Sequence, residues 1–261
     1  MSVENEPVSE KLLYIITDSH LDGEIAPAAE FVEMLSKLEN PQTVVFLGDL
    51  FKIWLAPPKF WTALHRDVLR GFAKLKARGC NVVFIAGNRE MLLPAKYTEK
   101  WQKLLPFTEL HHSDWFLNWG EKRFGFIHGD TLNYHDRQYL RWKAFTHNPV
   151  LEFLFGIMPG PVARWVVERI EAVLVETNKE YKIHFPENEI QEFAAKVLPE
   201  VDQYFVGHFH LDREIKVSGC PSVLRVLPDW LSQRTLLRVN LSGESDLLHF
   251  HKGSLKKLID S

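Results

Sequence analysis

The sequence predicts an α/β sandwich of two mixed β-sheets flanked by helices, with a helical insertion in its second half. Between residues 12 and 86, strand-like apolar runs alternate with amphipathic helical ones, the pattern of parallel strands joined by crossover helices. After residue 114 a hairpin signature and short alternating runs take over, so a more antiparallel sheet is expected there. The third observation lies at the strand ends, where apolar runs break repeatedly into glycine, aspartate, asparagine and histidine.

Leu12–Thr17 reads as a buried strand, and Ala28 to Leu38 as a helix with Phe31, Leu35 and Leu38 on one face. The strand Thr43–Leu47 leads through Gly48-Asp49 into an aromatic stretch, Phe51 to Trp61, broken by Pro57-Pro58. His65 to Arg78 is a helix stopped by Gly79, and the strand Asn81–Ala86 follows. Trp115–Trp119, Gly120-Glu121-Lys122 and Arg123–His128 form the hairpin. Gln203 to Val206 is strand-like, and Ser222–Val226, Thr235–Asn240 and Asp246–Phe250 are expected to close the chain as an antiparallel segment. Helices are expected over 137–158 and 161–182, parted by Met158-Pro159-Gly160-Pro161. Their apolar stripes, among them Trp142, Phe145, Phe153, Leu154 and Phe155, then Val162, Trp165, Val166 and Ile170, suit core packing or the inner face of a cap.

Length allows one large domain or two small ones. A formal charge of −3 argues against a nucleic-acid binder, which is normally basic. Cys80 and Cys220 match no metal or redox spacing, and with no disulfide framework a reducing compartment is the default. Residues 1–10 are polar and acidic, without the apolar core of a signal peptide. No run reaches the ~18 apolar residues of a transmembrane helix. The expectation is a cytoplasmic protein, with attachment to a membrane surface open.

Five strand ends carry the chemistry. They are Asp18-Ser19-His20, Gly48-Asp49, Gly87-Asn88-Arg89-Glu90, His128-Gly129-Asp130 and Gly207-His208-Phe209-His210. A lone Asp-x-His or Gly-Asp is mostly a turn or a helix cap, and a lone His-x-His is a better signal. In this order, each after a strand signal, they point to a metal site built from Asp18, His20, Asp49, Asn88, His128, His208 and His210. Carboxylate, amide oxygen and imidazole suit Mn, Fe, Zn or a mixture. So large a set exceeds what one ion takes, and a shared carboxylate would hold two ions about 3.5–4 Å apart, the geometry of in-line phosphoryl displacement. By position Asp49 is the bridge, with Asp18, His20 and His210 on one side and Asn88, His128 and His208 on the other.

Arg89 narrows the substrate class. Arginine is a poor acid but a good bidentate clamp for phosphate oxygens. Beside a metal ligand it favours a leaving group that departs as a stable anion, as in a nucleotide diphosphate. His65, His111, His112, His135, His147 and His184 match no motif and are expected at the surface or in packing. Lys252, Lys256 and Lys257 read as surface lysines, with contact to anionic lipid as the other reading.

These motifs resemble those of the calcineurin-like metallophosphoesterases, D-x-H, G-D, G-N-[HR]-[DE], H-G-D and G-H-x-H. Finer features resemble the UDP-2,3-diacylglucosamine diphosphatase family of the lipid A pathway. They are Gly48-Asp49-Leu50-Phe51-Lys52-Ile53-Trp54, Gly87 to Leu93, His128 to Leu132 with Asp136 and Tyr139, Asn178-Lys179 with Lys182, and Leu227-Pro228-Asp229-Trp230. The resemblance runs from about Leu12 to Asn240. It implies a calcineurin-like αββα sandwich, one metallophosphoesterase domain over 1–261 with a helical lid at about 137–185. It implies two divalent metal ions, usually Mn, and a metal-dependent phosphoric anhydride hydrolase. Water would attack the α-phosphorus of UDP-2,3-diacylglucosamine and release UMP and 2,3-diacylglucosamine 1-phosphate. Asp49, Asn88, Arg89 and His128 would be catalytic; Asn88, Arg89, Asp136, Tyr139, Asn178, Lys179, Lys182 and His208 would contact substrate. The partners implied are a lipid-linked nucleotide and the cytoplasmic face of a Gram-negative inner membrane, with the protein peripheral there, monomeric and free of nucleic acid. The chain departs from the family at Leu55-Ala56-Pro57-Pro58, where an acidic cluster is usual, at Val175, where a lid serine is usual, and at Phe209, Leu211 and Asp212. A divergent enzyme acting on another nucleotide-diphosphate lipid or on a soluble phosphodiester is the alternative, and a scaffold that has lost catalysis is a third reading.

Overall fold

Strand β1 (Leu12–Ile16) is apolar at every position because both of its faces are covered. Leu12, Tyr14 and Ile16 pack against helices, while Leu13 and Ile15 face a second sheet. The same alternation runs through β2 (Pro41–Phe46) and β4 (Asn81–Ile85), with Val44, Phe46, Val82 and Phe84 outward and Val45, Val83 and Ile85 inward. Side chains of a strand alternate faces, so a strand buried on both sides reads as an unbroken apolar run. These observations come from a computed structural model that describes residues 11–23, 25–135 and 185–258, with individual positions between 137 and 169.

In the first sheet β1, β2, β4 and β6 (Glu109–His111) are parallel, and β12 (Thr235–Val239), β13 (Ser245–His251) and β14 (Ser254–Lys257) continue it antiparallel on the other side of β1. Helices α1 (Ile25–Ser36) and α2 (Ala63–Ala77) cross over between the parallel strands and cover the outer face. Thr62 and His65 form a reciprocal capping box that starts α2, and the one-turn helix α3 (Glu99–Gln102) precedes β6. Phe84 stacks on Phe46 and on Phe107 with ring centroids 5.6 and 4.5 Å away, and meets the edge of Trp54. Phe84→Ala is expected to destabilise the protein by about 3–5 kcal/mol, the range for a fully packed Phe; denaturant unfolding of both proteins checks this.

The second sheet holds β7 (Trp115–Trp119), β8 (Lys122–Ile127), β9 (Gln203–Val206), β10 (Arg213–Lys216) and β11 (Val223–Val226), in the order β10-β11-β9-β8-β7. Here one expectation is corrected. The strand expected over Ser222–Val226 does not join the closing antiparallel segment; it lies parallel to β9 in the second sheet. Only Thr235–Val239 and Ser245–His251, with the unforeseen β14, complete the first sheet. Pairing parallel to β9 requires a chain crossover, which α-periodic or alternating patterns do not report. Trp119, Phe124, Phe126, Phe205 and Leu227 fill the space between the sheets. A helix over Glu187–Val197 (α4) lays Ile190 and Ala194 on Tyr204, Val206, Leu224 and Val226, giving four layers.

The described residues between 137 and 169 are helical apart from Met158 and Pro159. Phe155 is buried against Leu55, Met91 and Leu92, with Phe60, Met158 and Val166 alongside. Lys59 Nζ donates to the carbonyls of Phe155 and Met158 at 2.7 and 3.2 Å. Phe153, Leu154, Ile157, Val162 and Trp165 are exposed, so the apolar stripes are core only in part. Among the described residues no helix is long and apolar enough to cross a membrane.

Candidate metal centre

Parallel strands deliver their C-terminal ends to one edge, and here that edge is crowded with polar side chains. Asp18 and His20 follow β1, Asp49 follows β2, Asn88 and Arg89 follow β4, His128 follows β8, and His208 and His210 follow β9. The two sheets meet at this edge: His208 N–H donates to Asp18 Oδ2 at 2.8 Å, and His128 Nδ1 lies 2.6 Å from the Leu47 carbonyl.

The backbone there is unusual. Asp18, His20, Asp49, His208 and His210 have φ of 49, 41, 56, 67 and 57°. Left-handed backbone is uncommon for residues with a Cβ and persists only where surrounding contacts impose it. Gly87 shows the tightness: a Cβ on it would collide with Asp49 Oδ1 and approach His128 Cε1 to 2.9 Å.

Two groups of donors result, Asp18 with His20 and His210, and Asp49 with His128 and His208, the donor atoms of each lying within 4.8 Å of one another. Asn88 Oδ1 is 3.2 Å from His128 Nε2, which places it with the second group. Asp49 lies between them, its Oδ2 3.6 Å from His20 Nε2 and its Oδ1 3.5 Å from His128 Nε2. The structure thus brings together Asp18, His20, Asp49, Asn88, His128, His208 and His210, with Arg89 at the margin. Asp136, Tyr139, Asn178, Lys179 and Lys182 lie outside the described residues.

The donor set fits divalent cations. His128 Nδ1–H donates to Leu47 O and His210 Nδ1–H to Asp229 Oδ2 at 3.1 Å, which leaves each Nε2 lone pair aimed inward, as metal-ligating histidines are held. His210 Nε2 then faces His20 Nε2 and Asp18 Oδ1, both at 3.3 Å. Asp18 Oδ1 is buried and accepts no hydrogen bond among the described residues. A positive charge reconciles these atoms, whether a cation or, without one, a proton on His210 Nε2. The charge balance agrees: burial pushes the Asp18 carboxyl up, yet the imidazoles of His210, His128 and His20 hold it well below the usual carboxylate range. Burial pushes His210 down, but Asp18 and Asp229 more than offset it and hold the imidazole at about 10. The cluster demands positive charge.

Two supporting carboxylates carry no role in the motif reading. Glu90 accepts N–H bonds from Gly87 at 2.7 Å and from Asp49 and Leu50 at 2.9 Å, locking the second and third strand ends together. Burial and the Asp49 carboxylate push Glu90 up to about 7. The paired strands β3 (Trp54–Leu55) and β5 (Glu90–Met91) join the same loops again. Asp229 is the other, and its only sequence signal is its place in Leu227-Pro228-Asp229-Trp230. Buried Asp130 meets Lys143 Nζ at 2.6 Å, tying the insertion to the strand end that carries His128. Arg89 N–H donates to Asp49 Oδ1 at 2.9 Å, whereas its buried Nε donates no hydrogen bond among the described residues.

This fold, with side chains at its strand ends that could hold metal ions, is the arrangement of a metal-dependent hydrolase. The sequence profile of the calcineurin-like phosphoesterases matches residues 12–212, and the chain belongs to that family. It is 28% identical over 236 residues to the UDP-2,3-diacylglucosamine hydrolase of Vibrio vulnificus (strain YJ016), covering 88% of this chain and 94% of that protein. It is likewise 28% identical over 241 residues to the UDP-2,3-diacylglucosamine hydrolase of Shigella dysenteriae serotype 1 (strain Sd197), covering 90% and 97%. The solved structure of Vacuolar Protein Sorting 29 from Cryptosporidium parvum aligns with a TM-score of 0.50 over 96% of both chains at 11% identity, a likeness of fold alone.

Proposed function

We propose that this chain hydrolyses the pyrophosphate bond of UDP-2,3-diacylglucosamine, releasing UMP and 2,3-diacylglucosamine 1-phosphate. One observation carries the reading: buried Arg89 Nε stands 3.9 Å from Asp49 Oδ2 and donates no hydrogen bond among the described residues. The names and coverage of the curated relatives support the same substrate.

In this reading Asp18, His20 and His210 would hold one divalent ion, Asn88, His128 and His208 would hold a second, and Asp49 would serve both. Bound there, divalent ions (Mn by the family resemblance, with Fe or Zn also suited to the donors) would supply phosphoryl polarisation and hydroxide near neutral pH. Asp49 and the histidines orient the reacting groups, and Arg89 clamps phosphate oxygens without giving up a proton. Water adds to the α-phosphorus and the anhydride P–O bond breaks. The sugar phosphate leaves as a stable anion, so no acid is needed at the leaving oxygen.

The insertion is a lid in this proposal. Its seat on Leu55, Met91 and Leu92 and the Lys59 bonds hold it beside the loop that carries Arg89. Exposed Phe153, Leu154, Ile157, Val162 and Trp165 support contact with a lipid surface, in keeping with a peripheral protein at the cytoplasmic membrane. Asp136, Tyr139, Asn178, Lys179, Lys182 and His208 complete the substrate contacts, and the working unit is a monomer.

The test is UMP release from UDP-2,3-diacylglucosamine and, separately, from unacylated UDP-N-acetylglucosamine, each with Mn and with chelator. Mn-dependent cleavage of the acylated compound alone is expected. Cleavage of both returns the substrate to another diphosphate or a soluble phosphodiester, and cleavage of neither by the metal-loaded protein sinks the proposal.

A further inference from the structure

The two donor groups are not held by the same part of the chain. In the second, the Leu47 carbonyl orients His128 and Glu90 grips the N–H groups of Gly87, Asp49 and Leu50, while His208 N–H bonds Asp18 Oδ2 across to the first. The first is braced by a short segment near the C-terminus. Asp229 N-caps the helix Trp230–Gln233 (α5) through Oδ1, which accepts from Ser232 N–H, and its Oδ2 faces His210 Nδ1 at 3.1 Å. The first turn of that helix donates Trp230 N–H to the Thr17 carbonyl at 3.1 Å and Leu231 N–H to the Asp18 carbonyl at 3.2 Å. Trp230 is fully buried, edge-on to Phe31 with ring centroids 5.5 Å apart, so the segment is rigid. Among the described hydrogen bonds none joins residues 229–233 to Asp49, Asn88, His128 or His208.

We infer that Asp229 is a positioning residue that governs loading of one ion only, the ion held by Asp18, His20 and His210. The inference rests on the two-ion reading above and adds an asymmetry to it. Asp229 fixes the His210 tautomer, with the proton on Nδ1 and the lone pair of Nε2 toward the ion; partners of this kind are worth about 10–100-fold in metal affinity. Ser232 Oγ lies within reach of both oxygens, at 2.8 and 3.0 Å, but the Ser232 N–H bonds Oδ1 and the His210 imidazole meets Oδ2. In D229N the side-chain oxygen that stays with Ser232 leaves an amide NH2 facing His210, which forces the imidazole into the opposite tautomer with Nε2 protonated. Asparagine caps helices as well as aspartate does, so the helix itself is retained.

The experiment is Mn binding by the full chain, wild type against D229N, read by titration calorimetry and by the electron paramagnetic resonance of the bound Mn. S232A is the control, because it removes a hydroxyl partner of Asp229 and leaves His210 alone. Wild type and S232A are expected to take two ions and give the spectrum of a spin-coupled pair. D229N is expected to keep one site at wild-type affinity, to weaken the other about 10–100-fold, and to show an isolated Mn ion at intermediate loading. Equal weakening of both sites, or of neither, overturns the inference, as does an S232A protein that behaves like D229N. A wild type that takes a single ion overturns the two-ion reading itself; the tautomer role of Asp229 then falls if D229N binds that ion as tightly as wild type.

Discussion

Replacing Asp49 with alanine is expected to end turnover, lowering kcat/KM by roughly a thousandfold or more. The argument is one of position and charge. Asp49 is buried between the two donor groups, with an oxygen 3.6 Å from His20 Nε2 and the other 3.5 Å from His128 Nε2. Deleting it removes the carboxylate proposed to serve both ions and leaves the imidazoles without their shared counter-charge. Metal ions contribute several kcal/mol to transition-state stabilisation in such sites, and each 1.36 kcal/mol is a factor of ten in rate. UMP release and bound metal per chain should fall together, while circular dichroism stays native. A variant with full metal content and activity within tenfold of wild type would remove Asp49 from the centre.

Arg89→Lys carries the second large effect, a loss of about 10²–10³-fold, the range for removing a preorganised donor to developing negative charge. Lysine keeps the charge but cannot span two phosphate oxygens. Metal content is expected to remain at the wild-type level, because the Arg89 backbone N–H, and not its guanidinium, bonds Asp49 Oδ1. The loss should fall on kcat as well as KM, since a clamp that tightens on the transition state acts on both. Metal loss matching the loss of activity would instead mean that the guanidinium only supports the Asp49 loop.

Much of the site's location is legible in the sequence, and for a physical reason. β1, β2 and β4 are buried on both faces, so they print unbroken apolar runs whose ends are sharp, and the polar residues stand just past those ends. The three residues of β6 and the charged β10 leave no such trace. α4 is amphipathic, but its pattern follows the long insertion and stands apart from any motif. Sheet membership is harder still, as β11 shows, because a parallel neighbour is chosen by tertiary packing rather than by periodicity. Asp229 and Glu90 are hidden for the same reason. Asp229 lies 19 residues beyond His210, so the bond between them exists only once the sheets are assembled. Glu90 is visible as part of a motif, yet its three N–H partners sit on two different loops.

The pairing of β1 with β12 also sets a schedule. Strand β1 has β2 on one side, available early, and on the other side a strand that begins at Thr235. The carbonyls of Thr17 and Asp18 wait likewise for Trp230 and Leu231. During synthesis, N-terminal segments emerge and begin to fold first. The loop carrying Asp18 and His20 therefore stays unfinished until the segment from Asp229 to Val239 has left the ribosome. A nascent chain cut short before that point would hold most of the histidines and carboxylates but not the frame that aims them, and a hydrolase built this way becomes competent only once β12 has joined β1.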